Sequence, residues 1–258
     1  MRQDRLARIE HYILQCGSVS LAMLAEKFQL SVNTVRRDVI ELEGRGLIAR
    51  THGGAIAKER LSSHEEIDSR RQKNADAKRI IGALAAELVQ DGQTIFVDAG
   101  STTKMLVPYL KNKQNITMIT RSVNVLTEAI KLPQLTLIVL GGEYSETSDS
   151  FYSYSSFEEL NSFNIDCSFM GTTGLSVEGG LTTATFMEAN FKANAIKQAK
   201  SCIVMADASK IGICATSKFA ELSEATAIVT DQLCPENITQ YAKIHGIDII
   251  LPKTSQYF

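Results

Sequence analysis

The sequence predicts an α/β protein of two parts: an N-terminal winged helix-turn-helix and a larger C-terminal domain built on a parallel sheet. Three observations carry this. Residues 20–55 hold two short capped amphipathic helices and then a turn rich in Arg, His and Gly. From Ala77 onward helical segments alternate with short apolar runs. Between them the composition turns charged and loses its apolar periodicity. The expected division is 1–57, a linker at 58–76 with one exposed helix, and 77–258.

In the first part, a helix over 2–15 carries Leu6, Ile9, Ile13 and Leu14 on its inner side, and Gly17 stops it. Ser20 caps the next helix, where Leu21, Leu24, Ala25 and Phe28 recur at i, i+3, i+4, i+7. After the turn Gln29-Leu30-Ser31, Ser31 caps a third helix with Val35, Val39 and Leu42 on one stripe. Asn33, Arg36 and Arg37 then lie off that stripe. Asn and Arg make bidentate contacts to base edges, and Arg also pairs with phosphate. Ser31 and Thr34 stand at the helix N-terminus, where hydroxyls and free N–H groups suit a phosphate. The competing reading pairs Arg36 and Arg37 with Asp38 and Glu41. Gly46 ends the helix, 47–49 form a strand, Gly53-Gly54 turns with positive φ, and 55–56 return. Arg50 and His52 fall near the wing tip, placed for phosphate or the minor groove; alternatively, His52 bonds its own loop. The partner these features name is duplex DNA.

In the second part, helices are expected at 78–89, 103–110, 123–131, 157–163, 187–199 and 235–245. Strands are expected at 94–97, 116–120, 135–140, 167–170, 201–206, 225–229 and 247–251. Ligands of such sheets bind beyond the carboxyl ends of the strands. Those ends read Asp98-Ala99-Gly100-Ser101-Thr102-Thr103, Thr120-Arg121-Ser122, Gly141-Gly142, Gly171-Thr172-Thr173-Gly174 and Asp207-Ala208-Ser209-Lys210. Singly, each is an ordinary turn or cap. Together they suit a small anionic polyol, its phosphate on the N–H groups and hydroxyls of Ser101, Thr102 and Thr103.

Charge and cysteine usage narrow the classes. Residues 1–60 carry ten Lys+Arg against seven Asp+Glu, while the rest carry seventeen against twenty-two. The excess at the DNA-binding end is modest, so two or more such domains must act together, and a homo-oligomer, at least a dimer, is expected. Cys16, Cys167, Cys202, Cys214 and Cys234 show no C-x-x-C spacing, so neither a metal site nor a disulfide framework is expected. No apolar run is long enough to span a bilayer, and the opening residues hold no apolar signal core. A cytoplasmic protein with reduced thiols and no cofactor is expected.

The stretch from Ser31 to Val39, then Leu42-Glu43, Gly46, Arg50 and His52-Gly53-Gly54-Ala55, resembles the N-terminal signature of the DeoR family of bacterial sugar-metabolism regulators. The resemblance continues through Asp98–Thr102, Gly141-Gly142, Asp166, Gly171, Gly180-Leu181-Thr182 and Asp207–Lys210, and spans nearly the whole chain. It implies a repressor that binds operator DNA with one domain and a phosphorylated sugar or sugar alcohol with the other. It also implies an effector domain similar to ribose-5-phosphate isomerase and glucosamine-6-phosphate deaminase. Within the family, residues 97–102 and 169–172 resemble the glucitol-operon type. Two departures stand out. Thr120-Arg121-Ser122 replaces the family's Thr-Asn-Ser, and Ser153-Tyr154 replaces its Gly-Pro. Arg121 brings five donors to a strand end, placed to reach a phosphate or carboxylate of the effector; alternatively, it points into solvent. The alternative function is a sugar-phosphate isomerase carrying a DNA-binding domain, with Asp98, Asp166, Glu188 and Asp207 as available carboxylates. Against it, Asp166-Cys167-Ser168-Phe169 lacks the paired-Asp motif of the resembling isomerases.

Overall fold

The computed structural model describes residues 2–16, 18–44, 48–50, 53–57, 74–145 and 148–253. Gly17, Gly46, His52 and the expected linker helix lie outside the described residues, as does the side chain of Leu14.

The N-terminal domain runs α1 (Arg2–Cys16), β1 (Ser18–Ser20), α2 (Leu21–Phe28), α3 (Val32–Gly44), β2 (Ile48–Arg50) and β3 (Gly54–Ala57). Leu6, Ile9, Ile13, Leu24, Val35, Leu42 and Ile48 close its core with no exposed surface. Ser20 caps α2 by accepting from Met23 N at 3.1 Å, and Ser31 accepts from Thr34 N at 3.1 Å. The wing strands form an antiparallel sheet of order β1-β3-β2. Strand β1 is not expected from the sequence, because three residues show no period. Gly54 is extended within β3 and is not a positive-φ turn residue. Its necessity is spatial: a Cβ there would lie 2.1 Å from the Val19 carbonyl oxygen.

The C-terminal domain holds α4 (Ala75–Glu87), β4 (Thr94–Val97), a 3-10 helix (Thr103–Asn112), β5 (Thr117–Thr120), α5 (Val123–Ala129) and β6 (Thr136–Val139). A hairpin of β7 (Glu143–Ser145) and β8 (Ser150–Tyr152) leads to α6 (Tyr154–Leu160) and β9 (Ile165–Gly171). Then come β10 (Gly174–Ser176), β11 (Gly180–Thr183), α7 (Phe186–Gln198), β12 (Ala199–Met205), β13 (Ser217–Ala220), β14 (Ala227–Val229), α8 (Glu236–His245) and β15 (Asp248–Ile250). Seven parallel strands pair in the order β15-β14-β12-β9-β4-β5-β6. Alternation along β4 sends Ile95 and Val97 to the core under α4 and the 3-10 helix, and Phe96 to the core under α7.

Four details differ from expectation. Helix α4 begins at Ala75, inside the expected linker. The segment after Thr102 is a 3-10 helix with Pro108 inside it. Proline has no N–H to donate, which works against a regular α-helical ladder. Helix α6 starts three residues early because Ser153 and Ser156 form a reciprocal capping box. The sheet β10-β11-β13 and the hairpin β7-β8 were not expected, since their strands are three or four residues long.

Candidate functional site

The strand order reverses at β4: β5 and β6 lie to one side, β9, β12, β14 and β15 to the other. Loops leaving β4 and β9 therefore diverge and leave a crevice beyond the carboxyl ends, where doubly wound sheets bind ligands. A cavity of about 1230 Å³ opens there. Gly100, Ser101 and Thr102 line it from the loop after β4, Gly171, Thr172 and Thr173 from that after β9, and Asp207, Ser209 and Lys210 from that after β12.

Lys192 lies on the cavity wall, and Asp98, expected there from the sequence, lies behind it rather than on the wall. Asp98 is fully buried and Lys192 is 4% exposed. The lysine Nζ donates to Asp98 Oδ2 and to the Gly171 carbonyl at 2.9 Å. Gly171 N donates to the same Oδ2 at 3.1 Å, and among the described residues Asp98 Oδ1 has no partner. The pair thus ties β4, β9 and α7 together at the switch point. Lys192 and the buried Lys78 of α4, both on the cavity wall, were not singled out from the sequence. A lysine within a helical pattern reads as a solvated position. Only the fold turns these two inward.

The other expected residues divide. Thr103 is buried, its hydroxyl donating to the Asp98 carbonyl at 2.7 Å, so it shapes the loop from behind. Asp207 faces the cavity, but its Oδ1 accepts from Asn74 Nδ2 at 3.1 Å and Ser209 N at 3.0 Å. Gly141 and Gly142 do not line the cavity. They launch the hairpin that does, and Gly142 has φ +141°, a conformation suited to glycine.

Two assignments need correction. Asp166 lies at the start of β9, at the opposite end of the sheet from the cavity. It accepts from Thr94 N at 2.9 Å and pairs with Lys200 at 2.7 Å. The Lys200 ammonium and then the Thr94 N–H hold its carboxyl below the usual range. Arg121 is neither solvent-facing nor on the cavity wall: it is fully buried behind it. Its position on the loop was legible, but not the aromatic rings that enclose it.

In the winged domain, Asn33, Arg36 and Arg37 are exposed on α3. Asp38 is not their counter-ion. It turns inward, 2% exposed, and takes a two-point contact from Arg5 at 2.8 and 2.9 Å. Ser31 and Thr34 share a hydroxyl contact of 2.8 Å at the start of the helix. Arg50 binds Glu43 of α3 through Nε at 2.6 Å and through its backbone N at 2.9 Å. That contact ties wing to helix and occupies part of the side chain expected at DNA.

Fold and site together define a two-domain chain that joins a winged helix-turn-helix to an α/β domain with a polar cavity. Residues 5–60 match the DeoR-like helix-turn-helix domain and residues 73–232 the DeoR C terminal sensor domain. The HTH-type transcriptional regulator IolR of Bacillus subtilis (strain 168) is 32% identical over 97% of this chain and 100% of that protein. The HTH-type transcriptional repressor GlcR of the same strain is 30% identical over 99% of this chain and 98% of that protein. The glycerol-3-phosphate regulon repressor of Escherichia coli (strain K12) is 28% identical over 93% and 94%. The chain belongs to the DeoR family of transcriptional regulators. Among solved structures it is similar to ribose 5-phosphate isomerase from Plasmodium falciparum, 20% identical, TM-score 0.37, covering 52% of each chain, an overlap too partial to speak to chemistry. Among the described residues no helix is long and apolar enough to cross a membrane.

Proposed function

We propose that this protein is a repressor of a carbohydrate-utilisation operon, active in the cytoplasm and released from its operator by a phosphorylated sugar, sugar acid or sugar alcohol. The observation that carries the reading is the convergence of three strand-end loops on one cavity at the β4/β9 switch point. Loop N–H groups and the hydroxyls of Ser101 and Thr102 suit the phosphate, and Lys78 and Lys210 add positive charge. Exposed Asn33, Arg36 and Arg37 on α3 suit operator bases and phosphates. The protein acts as a homo-oligomer, so that two α3 helices meet paired half-sites. The isomerase alternative loses two of its four carboxylates: Asp98 is held by Lys192, and Asp166 sits at the far end of the sheet. Glu188 and Asp207 remain on the cavity wall, where Glu188 accepts from the Thr183 hydroxyl at 2.8 Å and Asp207 from Ser209 N at 3.0 Å.

Effector binding favours a conformation of lower DNA affinity, and a coupling of roughly 1–3 kcal/mol suffices to release most of the operator. Gel-shift titration with and without a panel of sugar phosphates tests this, beside calorimetry on Thr102→Val and Lys210→Ala. Arg36→Ala or Arg37→Ala weakens operator binding by about 1–3 kcal/mol with the fold intact. Full operator affinity in both variants overturns the recognition-helix assignment. A ligand bound equally by Thr102→Val and Lys210→Ala overturns the phosphate position, and turnover of that ligand revives the enzyme reading.

A further inference from the structure

Arg121, one departure from the family pattern, contacts Ser150 and Tyr152, which stand just before the other departure, Ser153-Tyr154. The Arg121 guanidinium carbon lies 4.3 Å from the Tyr152 ring centroid and 4.6 Å from that of Phe191. Aromatic faces and weak hydration suit a buried guanidinium. Phe151 N donates to the Arg121 carbonyl at 2.9 Å, and Val123 N to that of Asp149 at 3.0 Å, so the hairpin is fastened to the loop after β5. Among the described residues no carboxylate pairs with the Arg121 side chain. The neighbouring Asp149 accepts from the Tyr144 hydroxyl at 2.9 Å. Among the described residues Arg121 Nε is buried without an acceptor, and Nη1 donates to Ser150 Oγ at 3.1 Å.

This fixes the direction of a hydroxyl chain. A guanidinium only donates, so Ser150 Oγ accepts from it. Ser150 is fully buried, and its own proton needs an acceptor. Among the described residues that acceptor is Ser148 Oγ, 2.7 Å away. Ser148 therefore receives, and its own O–H is left to donate into the cavity that it lines. Behind it stands a buried positive charge. We propose that Ser148, polarised by Arg121 through Ser150, recognises an anionic oxygen of the effector other than the phosphate at Gly100–Thr102. The effector is then a doubly anionic sugar phosphate, bearing either a carboxylate or a second phosphoryl group. The inference rests on the phosphate reading above.

The test is calorimetry on the full chain with phosphogluconate, glucitol bisphosphate and phosphoglucitol, open-chain six-carbon compounds that differ in the second group. At least one of the first two binds about tenfold more tightly than phosphoglucitol, the ordinary worth of a charge-assisted hydrogen bond. Which one does so distinguishes carboxylate from phosphoryl. Ser148→Ala brings that ratio toward one, and Ser148→Thr, which keeps the hydroxyl, retains it. Arg121→Met, checked for native circular dichroism, lowers the ratio as well. A ratio unchanged in Ser148→Ala, or a preference for phosphoglucitol, overturns this proposal alone. Binding of none of the three overturns it together with the phosphate reading.

Discussion

At the scale of single residues, the charged side chains separate by what faces them. Asp38 and Asp166 each meet one basic partner and stabilise the fold. Asp98 and Lys192 meet each other behind the cavity wall, where removing one member strands a buried charge. Lys192→Met therefore costs more than loss of any exposed pair, about 3–5 kcal/mol by thermal or urea unfolding. The Asp166–Lys200 pair is read out by pH. The Asp166 carboxyl is lowered chiefly by Lys200, and the Lys200 ammonium is raised chiefly by Asp166. A lowered carboxyl stabilises above its unfolded value and loses that contribution as pH falls through its folded value. A raised ammonium stabilises below its unfolded value and loses it as pH rises through its folded value. Lys200→Ala is thus expected to lower the Tm between about pH 4 and pH 10. The gap from the parent protein closes at either extreme. A gap that persists at pH 2 shows that the contribution is not ionic. Cys202 shows the opposite influence, burial, which pushes its thiol up to about 12. It should resist alkylation in the native state at neutral pH.

At the scale of elements, the wing depends on one close approach. Strand β3 is the middle strand of its sheet, paired with β1 through Ser20↔Gly54 and with β2 through Arg50↔Ala55. A Gly54→Ala methyl meets backbone rather than a flexible side chain, so the strands must separate. The expected cost is about 1–3 kcal/mol, the usual penalty of overpacking. Because Arg50 and Glu43 join wing to α3, operator affinity falls with it. Circular dichroism melts and gel shifts on the same variant check both. Unchanged melting would show that β1 is dispensable. In the larger domain the hairpin β7-β8 is the corresponding element, since it carries Glu143, Tyr144, Ser148 and Tyr152 onto the cavity wall.

At the scale of the whole molecule, charge and size argue for assembly. The first sixty residues hold ten basic against seven acidic side chains, too small an excess for one domain to hold an operator tightly. Sedimentation at micromolar protein is expected to show a dimer or larger species. Deleting one half-site from an operator fragment should then weaken binding and flatten its salt dependence. A monomer both free and on DNA counts against paired half-sites.

Periodicity determined most of the architecture. The stripes Leu6-Ile9-Ile13 and Val35-Val39-Leu42, and the alternation of helices with apolar runs, fall where helices and parallel strands form, because both signals are local. The loops Gly100–Thr102, Gly171–Thr173 and Asp207–Lys210 were legible as strand ends for the same reason. What tertiary structure alone decided was which charges face inward and what they meet. Lys78 and Lys192 look solvated in a helical pattern and are buried on the cavity wall. Asp166, by contrast, was named through the resemblance although it precedes the strand expected at 167–170, so its place at the amino end, away from the cavity, was already legible in the sequence. Arg121 lies twenty-nine residues before Ser150 and seventy before Phe191, and only packing brings them together. Sequence spacing encodes the faces of helices and strands. The partner of a buried charge is set by crossover order and by contacts distant along the chain.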